Sequence, residues 1–378
     1  MKKLTINDLY KLKSGNRAVL YFQSYRGEQY SDSPRYIFEA IYQKYGNKFE
    51  YIWIVNESLS DSHKKELHCF EHVYIASYKS ILSTLSLYIS DRIITNTLLK
   101  PMWIKGPHQA YHQFWHGIPI KHVGLDHLTY SKIYSKKLIY KIRWLLESFK
   151  IDKLYVTSPM NAQQLSSAFN VRNGTICLKN LPRHENLVMN KGLFTKQKLL
   201  EKLKIESNDE VRLILYAPTW RDCNYNKRSE TNFLENLMLD EKIIVLYRGH
   251  YYSTLEELSD KFVDVSDYSS INELVLGSDI TVTDYSSVVF ECNIINKPFV
   301  LFTPDFESYA DRGLYFDYRE IKEFKLTYDT KSLQREINNI LESMNETNDY
   351  TNSYLSQYTP LSSNSDLSGI VNLIIAEL

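Results

Sequence analysis

The stretch FWHGIPIK, residues 114 to 121, places a histidine where a β-rich run ends and a turn begins. At such a position the imidazole of His116, with an ordinary pKa of about 6.5, could remove a proton from an attacking hydroxyl group. A neutral histidine buried in the core fits the same residues equally well. The stretch alone leaves both interpretations open.

The histidines of this region do not predict a metal site. His108, His112 and His116 lie four residues apart, a spacing that brings metal ligands together only on a helix. Gly117 and Pro119 interrupt the region, so a helix is disfavoured. On a strand the three side chains would spread over about 26 Å, which is too far for them to share one metal ion.

Three further stretches put polar or charged side chains directly after a β-rich run, where open α/β sheets bind their ligands. They are YAPTWRD (216 to 222), YRGHY (247 to 251) and VTDYSSVVFE (282 to 291). In the second, Arg248 offers a bidentate fork for phosphate, and Gly249 lets a ligand approach the backbone. The alternatives are a solvated Arg248 beside a buried neutral His250, and a structural pair of Arg221 with Asp222 in the first stretch.

The third stretch predicts a phosphate site at the start of a helix. Its strand ends at Thr283, and Ser286 and Ser287 then open an apolar run that is typical of a helix. Backbone N–H groups at a helix N-terminus favour an anion, and the two hydroxyls add donors. An ordinary helix cap by Asp284 or Ser286 explains the same residues, so position alone does not decide.

These sites need strands that deliver them to one edge of a sheet. Short β-rich runs alternate with amphipathic segments along the chain, which predicts βαβ units and parallel sheets. The 378 residues suit two such domains of roughly 150 to 200 residues each. We expect an N-terminal Rossmann-like lobe over residues 1–180 and a C-terminal one over residues 181–378, closed by the helix SGIVNLIIAEL. With a boundary between residues 175 and 195, TICLKNLP would begin the second series.

Composition limits the classes of function. Forty-five basic and 45 acidic side chains cancel, so no overall field attracts nucleic acid, and we expect no such partner. Four cysteines without CxxC or zinc spacing fit reduced thiols in a cytosolic protein. The N-terminus lacks the apolar segment of a signal peptide, and the chain has no apolar run of about 18 residues. We therefore predict a protein that is neither secreted nor membrane-spanning.

Residues 130–150, YSKIYSKKLIYKIRWLLESFK, interleave cations with apolar and aromatic side chains. On a helix this pattern forms a basic amphipathic surface suited to anionic lipid headgroups, where each cation contributes about 1 kcal/mol. A tryptophan beside an arginine favours membrane contact over the alternative, an ordinary surface helix with its lysines in water. The residues that we expect to contact the membrane are Lys136, Lys137, Lys141, Arg143 and Trp144.

Taken together, these residues resemble the CDP-glycerol:poly(glycerophosphate) glycerophosphotransferase family, which makes teichoic acids and related capsule polymers in bacteria. The matching stretches occur in family order: YSDSPRYIFE (30 to 39), FWHGIPIKHVGLD (114 to 126), LYAPTWRD (215 to 222), LYRGHY (246 to 251), DVSDYSSINELVLGSDITVTDYSSVVFE (264 to 291) and RGLYFDY (312 to 318). The resemblance implies a GT-B-like α/β fold. It would have two Rossmann-type lobes with parallel sheets, an interlobe cleft, and the CDP-linked donor in the C-terminal lobe.

The resemblance also implies an activity, the transfer of glycerol phosphate from CDP-glycerol to the hydroxyl of a lipid-linked acceptor with release of CMP. The substrates would be a CDP-alditol, either CDP-glycerol or CDP-ribitol, and a lipid-linked saccharide or poly(alditol phosphate) acceptor on the N-terminal lobe. The enzyme would be peripheral, on the cytoplasmic face of the cell membrane and in contact with its anionic surface. No cofactor and no metal are expected.

By the same resemblance, His116 and His250 are the expected catalytic residues, with His116 as the base. The expected donor-binding residues are Arg248, Asp284, Ser286, Ser287, Arg312 and Asp317. Two departures from the family pattern leave local geometry and the choice of acceptor open. NLPRHEN (180 to 186) stands where the family often has a GYPRND-like turn, and Ile118 stands where the family has a threonine.

Two other classes of function remain open at this point. A GT-B glycosyltransferase using a nucleotide sugar usually shows a glycine-rich loop, whereas this chain has 12 glycines and no GxGxxG. A non-catalytic, membrane-docked scaffold is the second alternative, although His116, His250 and both serines are intact.

Overall fold

The computed structural model describes residues 2–57, 59, 61–99, 103–130, 134–172, 174–206, 210–219, 237, 240, 242–249, 262–310, 313–344, 348–360, 366–376 and 378. For residues 62, 129–130, 134–137, 308 and 310 it describes the backbone alone. The chain divides into two units. The first comprises Met1–Gly117, Val123–Asn186 and Pro360–Leu378, and the second comprises Ile118–His122 and Leu187–Thr359.

The first unit is built on a parallel sheet. Its strands are β1 (Lys2–Lys3), β2 (Val19–Gln23), β3 (Glu50–Val55), β4 (Val73–Ser77), β5 (Arg92–Thr95), β6 (Ala110–Gln113), β7 (Lys153–Val156) and β8 (Ile176–Leu178). Their order in the sheet is β1-β4-β3-β2-β5-β6-β7-β8. Its helices are α1 (Ile6–Ser14), α2 (Asp32–Tyr45), α3 (Asp61–His68), α4 (Ile81–Ile89), α5 (Gly124–Tyr130), α6 (Tyr134–Ser148) and α7 (Pro159–Phe169), and α8 (Pro182–Asn190) leads into the second unit.

The second unit is built on another parallel sheet. Its strands are β9 (Arg212–Ala217), β10 (Ile243–Tyr247), β11 (Phe262–Asp264), β12 (Ile280–Thr283), β13 (Phe299–Phe302) and β14 (Leu326–Thr327), in the order β11-β10-β9-β12-β13-β14. Its helices are α9 (Lys196–Leu203), α10 (Ile271–Gly277), α11 (Val288–Ile294), α12 (Phe306–Ala310), α13 (Thr330–Ser343) and α14 (Ser353–Ser356). A last helix, α15 (Leu367–Ile375), follows.

Both sheets reverse their strand order at one point, between β2 and β5 in the first unit and between β9 and β12 in the second. Open parallel α/β sheets bind ligands in the crevice that this reversal leaves at the carboxyl ends of the strands. The predicted α/β architecture of two Rossmann-type units is confirmed. The reversal points are therefore the places to look for a site in each unit.

Apolar side chains on both faces of the strands explain why helices cover both sides of each sheet. In β3, Tyr51 and Trp53 join one buried cluster, whereas Ile52 and Ile54 join another on the opposite face. A parallel strand that is buried on both faces needs an apolar layer above and below it. The sheet consequently forms a rigid platform for the loops at its carboxyl edge.

Strand β8 belongs to the first sheet, although its residues, TICLKNLP, were predicted to open the second series. It pairs with β7 through the register Leu154 to Ile176 and Val156 to Leu178. Its sequence pattern defines a strand but not the neighbour with which that strand pairs. The passage between the units lies further on, after Asn186.

Helix α15 also belongs to the first unit and not, as predicted, to the second. Its apolar face joins the buried cluster that α2 covers, through Ile370, Val371 and Ile374. Both of its ends are fixed there. The Glu185 carboxylate accepts from the backbone N–H of Leu367 (3.1 Å) at the start of the helix, and Arg92 Nε donates to the Ile374 carbonyl (2.6 Å) at its end.

Candidate active site

His116 lies in the turn that follows β6. Trp115 before it has φ +50° and Gly117 after it has φ +126°, so the chain turns sharply on both sides of the histidine. The ring is half-buried, and its Nδ1 lies 2.9 Å from the carbonyl oxygen of Asn96. Because a carbonyl oxygen can only accept, Nδ1 carries the proton in this pair and Nε2 is the basic nitrogen of the neutral ring.

Asn96 connects His116 to the point where the strand order of the first sheet reverses. It follows β5, is fully buried, and accepts from the backbone N–H of Tyr25 at its side-chain Oδ1 (2.9 Å). Tyr25 lies in the 3₁₀ turn Tyr25–Gly27 that follows β2. One asparagine thus holds the histidine ring with its main chain and the neighbouring loop with its side chain.

A buried ion pair stands next to this loop. The Tyr25 hydroxyl donates to Asp32 Oδ2 (2.8 Å), and Arg183 Nη1 donates to the same oxygen (2.8 Å). The side chains of Asp32 and Arg183 are only 3% and 6% exposed, so water screens the pair little. Our sequence interpretation missed Tyr25, Asp32, Asn96 and Arg183 as site residues.

Aromatic rings lie against the imidazole. The ring centroid of Tyr25 is 5.7 Å from that of His116, and the ring centroid of Trp115 is 4.0 Å away. Trp115 in turn packs on Phe169 of α7 and on Trp144 of α6. The histidine is therefore positioned by the core of the first unit and not by a solvated loop alone.

Left-handed backbone conformations are concentrated at this edge. Tyr25, Arg26, Asp32 and Trp115 have φ between +46° and +63°, although none of them is a glycine. Such a conformation costs about 1 to 3 kcal/mol per residue and persists only where neighbouring contacts enforce it. Strain of this kind is typical of functional sites, which supports the interpretation of His116 as more than a core histidine.

His112, four residues before His116 in the sequence, is a core residue and not a candidate base. It is buried in β6, its Nδ1 lies 3.0 Å from the Tyr155 hydroxyl, and burial lowers the pKa of its imidazole to about 3. It is a neutral core histidine. Within the described ranges, no group of three histidine, cysteine, aspartate or glutamate side chains could hold a metal ion.

In the second unit, Asp284 connects the loops that follow β9 and β12, the two strands at the reversal point. Its Oδ1 accepts from the backbone N–H of Thr219 (2.8 Å), which follows β9, and from that of Tyr285 (2.6 Å), which follows β12. The Tyr318 hydroxyl donates to the Asp284 carbonyl oxygen (3.1 Å). The geometry gives Asp284 a clear part in fixing the loops at this edge, while its predicted contact with the donor stays a prediction.

Ser286 and Ser287 lie half-buried between β12 and α11, where the sequence predicts a phosphate site. Ser287 precedes the first residue of the helix, and its side chain makes no capping hydrogen bond within the described part of the chain. Ser286 Oγ accepts weakly from the Val288 N–H (3.4 Å). Both hydroxyls remain suitable donors for an anionic ligand.

Arg248 follows β10 at the same edge. Its Nη1 donates to the Tyr268 carbonyl (2.8 Å), which orients the guanidinium, and the next N–H, that of Gly249, donates to Ser266 Oγ (3.0 Å). His250 and Arg312 lie outside the described residues, so their predicted roles stay predictions. The same applies to Arg221 and Asp222.

The carboxylate of Asp317 is already hydrogen-bonded to a side chain two residues away. Its carboxylate accepts from Arg319 (2.6 Å to Nη2), and this bond lowers the pKa of the Asp317 carboxyl below its usual range. It also caps the 3₁₀ turn Tyr318–Glu320. A ligand contact by Asp317 would have to compete with Arg319.

Residues 118–122, which directly follow the histidine turn, are part of the second unit. The Tyr315 N–H donates to the Ile120 carbonyl (2.8 Å), and the His122 N–H donates to the Gly313 carbonyl (3.0 Å). Ile118, one of the two departures from the family pattern, is 1% exposed. A hydroxyl group at this position would be buried as well.

The other departure, NLPRHEN, has two structural roles in the first unit. Arg183 is the partner of Asp32, and Glu185 caps α15. The loss of the family's glycine and asparagine is therefore accompanied by contacts that fix this turn to α2 and α15.

Helix α6 presents its apolar and aromatic residues differently from our expectation. Trp144 is directed inwards, since it contacts Trp115 (6.0 Å) and Phe169 (5.1 Å) and lies against Gly124. The exposed apolar residues of the helix and its end, each 48–67% exposed, are Leu138, Ile139, Ile142, Leu146 and Phe149. Lys141 and Arg143 are exposed, and the side chains of Lys136 and Lys137 lie outside the described part of the structure. Among the helices described, none is long and apolar enough to cross a membrane.

Known proteins are similar to this chain in both sequence and fold. The family described as CDP-Glycerol:Poly(glycerophosphate) glycerophosphotransferase matches residues 7–376. A teichoic acid glycerol-phosphate transferase of Staphylococcus aureus is 31% identical over 336 residues, which are 85% of this chain and 84% of that protein. A teichoic acid poly(glycerol phosphate) polymerase of Bacillus spizizenii is 30% identical over 352 residues, which are 89% of this chain and 85% of that protein.

Among solved structures, the wall teichoic acid polymerase TagF is similar with a TM-score of 0.78 and 25% identity. The match covers 94% of this chain and 87% of TagF, here a histidine-to-asparagine variant soaked with CDPG. The likeness confirms the predicted GT-B-like fold class.

Proposed function

Because this chain belongs to the CDP-glycerol:poly(glycerophosphate) glycerophosphotransferase family, we propose that it transfers glycerol phosphate from CDP-glycerol to a hydroxyl group of a lipid-linked acceptor and releases CMP. It is a transferase of teichoic acid or related capsular polymer synthesis. The two relatives described above are both named for glycerol phosphate, which favours CDP-glycerol over CDP-ribitol. The family also favours this reaction over transfer from a nucleotide sugar.

The observation that carries the catalytic proposal is the bond between His116 Nδ1 and the Asn96 carbonyl. It leaves Nε2 as the nitrogen that accepts a proton. The acceptor hydroxyl attacks the β-phosphorus of CDP-glycerol while its proton passes to Nε2 of His116. The bond from the β-phosphorus to the bridging oxygen breaks, and CMP leaves with the electron pair.

The donor diphosphate is assigned to the carboxyl edge of the second sheet. Ser286 and Ser287 supply hydroxyl donors at the start of α11, and Arg248 supplies a cation whose orientation the Tyr268 carbonyl fixes. Preorganised donors and cations stabilise the charge on the transferring group. His250, Arg312 and Asp317 are proposed as further donor-side residues, with His250 also catalytic. We propose that the reaction needs no metal ion or cofactor.

We also propose that the protein is peripheral, at the cytoplasmic face of the membrane, where the lipid-linked acceptor would reside. Support comes from the exposed apolar residues of α6 and from its exposed cations Lys141 and Arg143. An amphipathic helix of this kind binds at the headgroup boundary, more strongly when the lipid is anionic. The exposed apolar positions replace Trp144 as the main expected lipid contacts.

Co-sedimentation with liposomes tests the membrane proposal. Ile139→Glu should lower binding to vesicles that contain anionic lipid, because it places a charge on the exposed apolar face of α6. Ile81→Glu is the matched control, since Ile81 on α4 is 66% exposed and Ile139 is 62% exposed. Equal binding by both variants would contradict a role for α6.

Product analysis tests the proposed reaction. The protein is incubated with a lipid-linked disaccharide and either CDP-glycerol or CDP-ribitol, and the products are identified by mass spectrometry while CMP release is followed. We expect products heavier by one or more glycerol phosphate units, with one CMP released per unit. Ribitol phosphate products alone, or no CMP release with either donor, would contradict the proposal.

A further inference from the structure

The ring of Tyr25 lies close to that of the proposed base, His116, and the Tyr25 hydroxyl is bonded to a buried ion pair. We propose that Tyr25 is a positioning residue for His116, and that Asp32 and Arg183 hold Tyr25 in place. This inference rests on the proposed role of His116. It concerns no contact with a substrate, because Tyr25 acts through the imidazole.

Two bonds fix Tyr25 at opposite ends. Its backbone N–H donates to Asn96 Oδ1 (2.9 Å), and its hydroxyl donates to Asp32 Oδ2 (2.8 Å). The ring between these two anchors lies 5.7 Å from the His116 ring, tilted by 51°. Because Asn96 also holds Nδ1 of the histidine, the tyrosine and the imidazole share one support.

The Asp32 carboxylate is suited to hold a hydroxyl in a fixed direction. Its Oδ1 accepts from the Ser33 N–H (2.6 Å), and its Oδ2 accepts from both Tyr25 and Arg183. A charged acceptor makes shorter and stronger hydrogen bonds than a neutral one. A buried charge is tolerated when it is paired and hydrogen-bonded, and the guanidinium of Arg183 provides that pairing.

The strained backbone of Tyr25 and Asp32 suggests that their contacts serve function as well as stability. Tyr25 and Asp32 adopt φ +46° and φ +63°, conformations that a glycine would adopt at lower cost. Glycine at position 25 would, however, remove the ring that lies against the imidazole. The chain instead keeps a strained tyrosine and stabilises it with a buried carboxylate.

A second tyrosine in the same segment serves as a control. The Tyr30 hydroxyl also donates to a carboxylate, that of Glu39 (3.0 Å), and Tyr30 is as buried as a core residue. Its ring packs on Trp53 and Phe38, and not on His116. Tyr25→Phe and Tyr30→Phe therefore remove the same kind of bond, but only the first removes it beside the base.

The test compares the steady-state rate of CMP release from CDP-glycerol, with the lipid-linked disaccharide as acceptor, in both variants. We expect Tyr25→Phe to lower kcat by about fivefold to tenfold and to change the KM for CDP-glycerol by less than about twofold, since only orientation of the base is lost. Tyr30→Phe should keep kcat within about twofold of the original chain. Melting temperatures of the two variants show whether both remain folded.

A double substitution separates positioning from a merely structural role. In a chain that carries His116→Ala, the further change Tyr25→Phe should leave the residual rate unchanged, because the residue through which Tyr25 acts is gone. A further fivefold loss in that background, or an unchanged kcat for Tyr25→Phe alone, would overturn the inference. If His116→Ala itself retained full turnover, the proposed function of His116 would fail instead, so the two failures are distinguishable.

Discussion

At the carboxyl edge of the first sheet, His116 is held by a carbonyl oxygen and by packed aromatic rings. At the carboxyl edge of the second sheet, Ser286 and Ser287 are half-buried and make few bonds of their own. The first edge contains a buried ion pair and four strained residues. The second contains an aspartate, Asp284, whose carboxylate is bonded to backbone N–H groups.

This difference corresponds to two tasks. A general base must present one nitrogen atom in one direction, so it gains from rigid support. A diphosphate group can be held by several hydroxyl, backbone and guanidinium donors at once, so its binding depends less on the direction of any single atom. We infer that the first edge is built for orientation and the second for anion binding.

The largest expected effect concerns the two buried aspartates. Asp32→Asn removes the charge that faces Arg183 and should lower the free energy of unfolding by about 3 to 5 kcal/mol. Asp284→Asn keeps an amide oxygen where Oδ1 accepts both of its bonds, so it should cost only about 1 kcal/mol. Urea unfolding measures both. Equal losses would show that the ion pair does not distinguish the two edges.

A smaller effect is expected at the second edge. Replacement of Ser286 and Ser287 together by alanine removes two hydroxyl donors and should raise the KM for CDP-glycerol about tenfold, with a smaller change in kcat. Steady-state kinetics of CMP release measures both constants. Ser332→Ala is the control, because this serine is also half-buried but lies in the capping box of α13 and not at the proposed donor site. A fall in kcat without a change in KM would argue against donor binding by these serines.

A third effect is a pH dependence of stability in the first unit. Burial lowers the pKa of His112 to about 3, below the value near 6.5 of an unfolded chain. Its contribution to stability is therefore complete above pH 6.5 and is lost as the pH falls below that value. The loss amounts to at most about 1.4 kcal/mol per pH unit.

Urea unfolding between pH 7.5 and pH 5 measures this contribution as the difference between the original chain and His112→Gln. That difference should shrink as the pH falls, because glutamine does not titrate. A difference that stays constant with pH would show that His112 is not held neutral.

Local patterns allowed much of the fold to be predicted from the sequence, and they also supplied part of the candidate site, whose roles stay predictions. The alternation of β-rich and amphipathic runs predicted two parallel sheets, and the structure contains both. His116 and the pair Ser286 and Ser287 were predicted because they follow β-rich runs. Each of these signals lies within about ten residues of sequence.

The features that could not be predicted depend on contacts between distant residues. Asp32 and Arg183 are 151 positions apart in the sequence, and no local sequence pattern predicts that they pair. The apolar face of α15 shows that the helix needs a partner, but not that the partner is α2. The inward direction of Trp144 likewise follows from its packing on Trp115 and not from its neighbour Arg143.

The division of tasks between the two edges is tested most directly by titration of CDP-glycerol into the His116→Ala variant, combined with its single-turnover rate. We predict a dissociation constant within about twofold of that of the original chain and a rate at least about 10²-fold lower, because a base is lost and the donor site is kept. Retained turnover, or loss of CDP-glycerol binding in a variant that is still folded, would contradict the account.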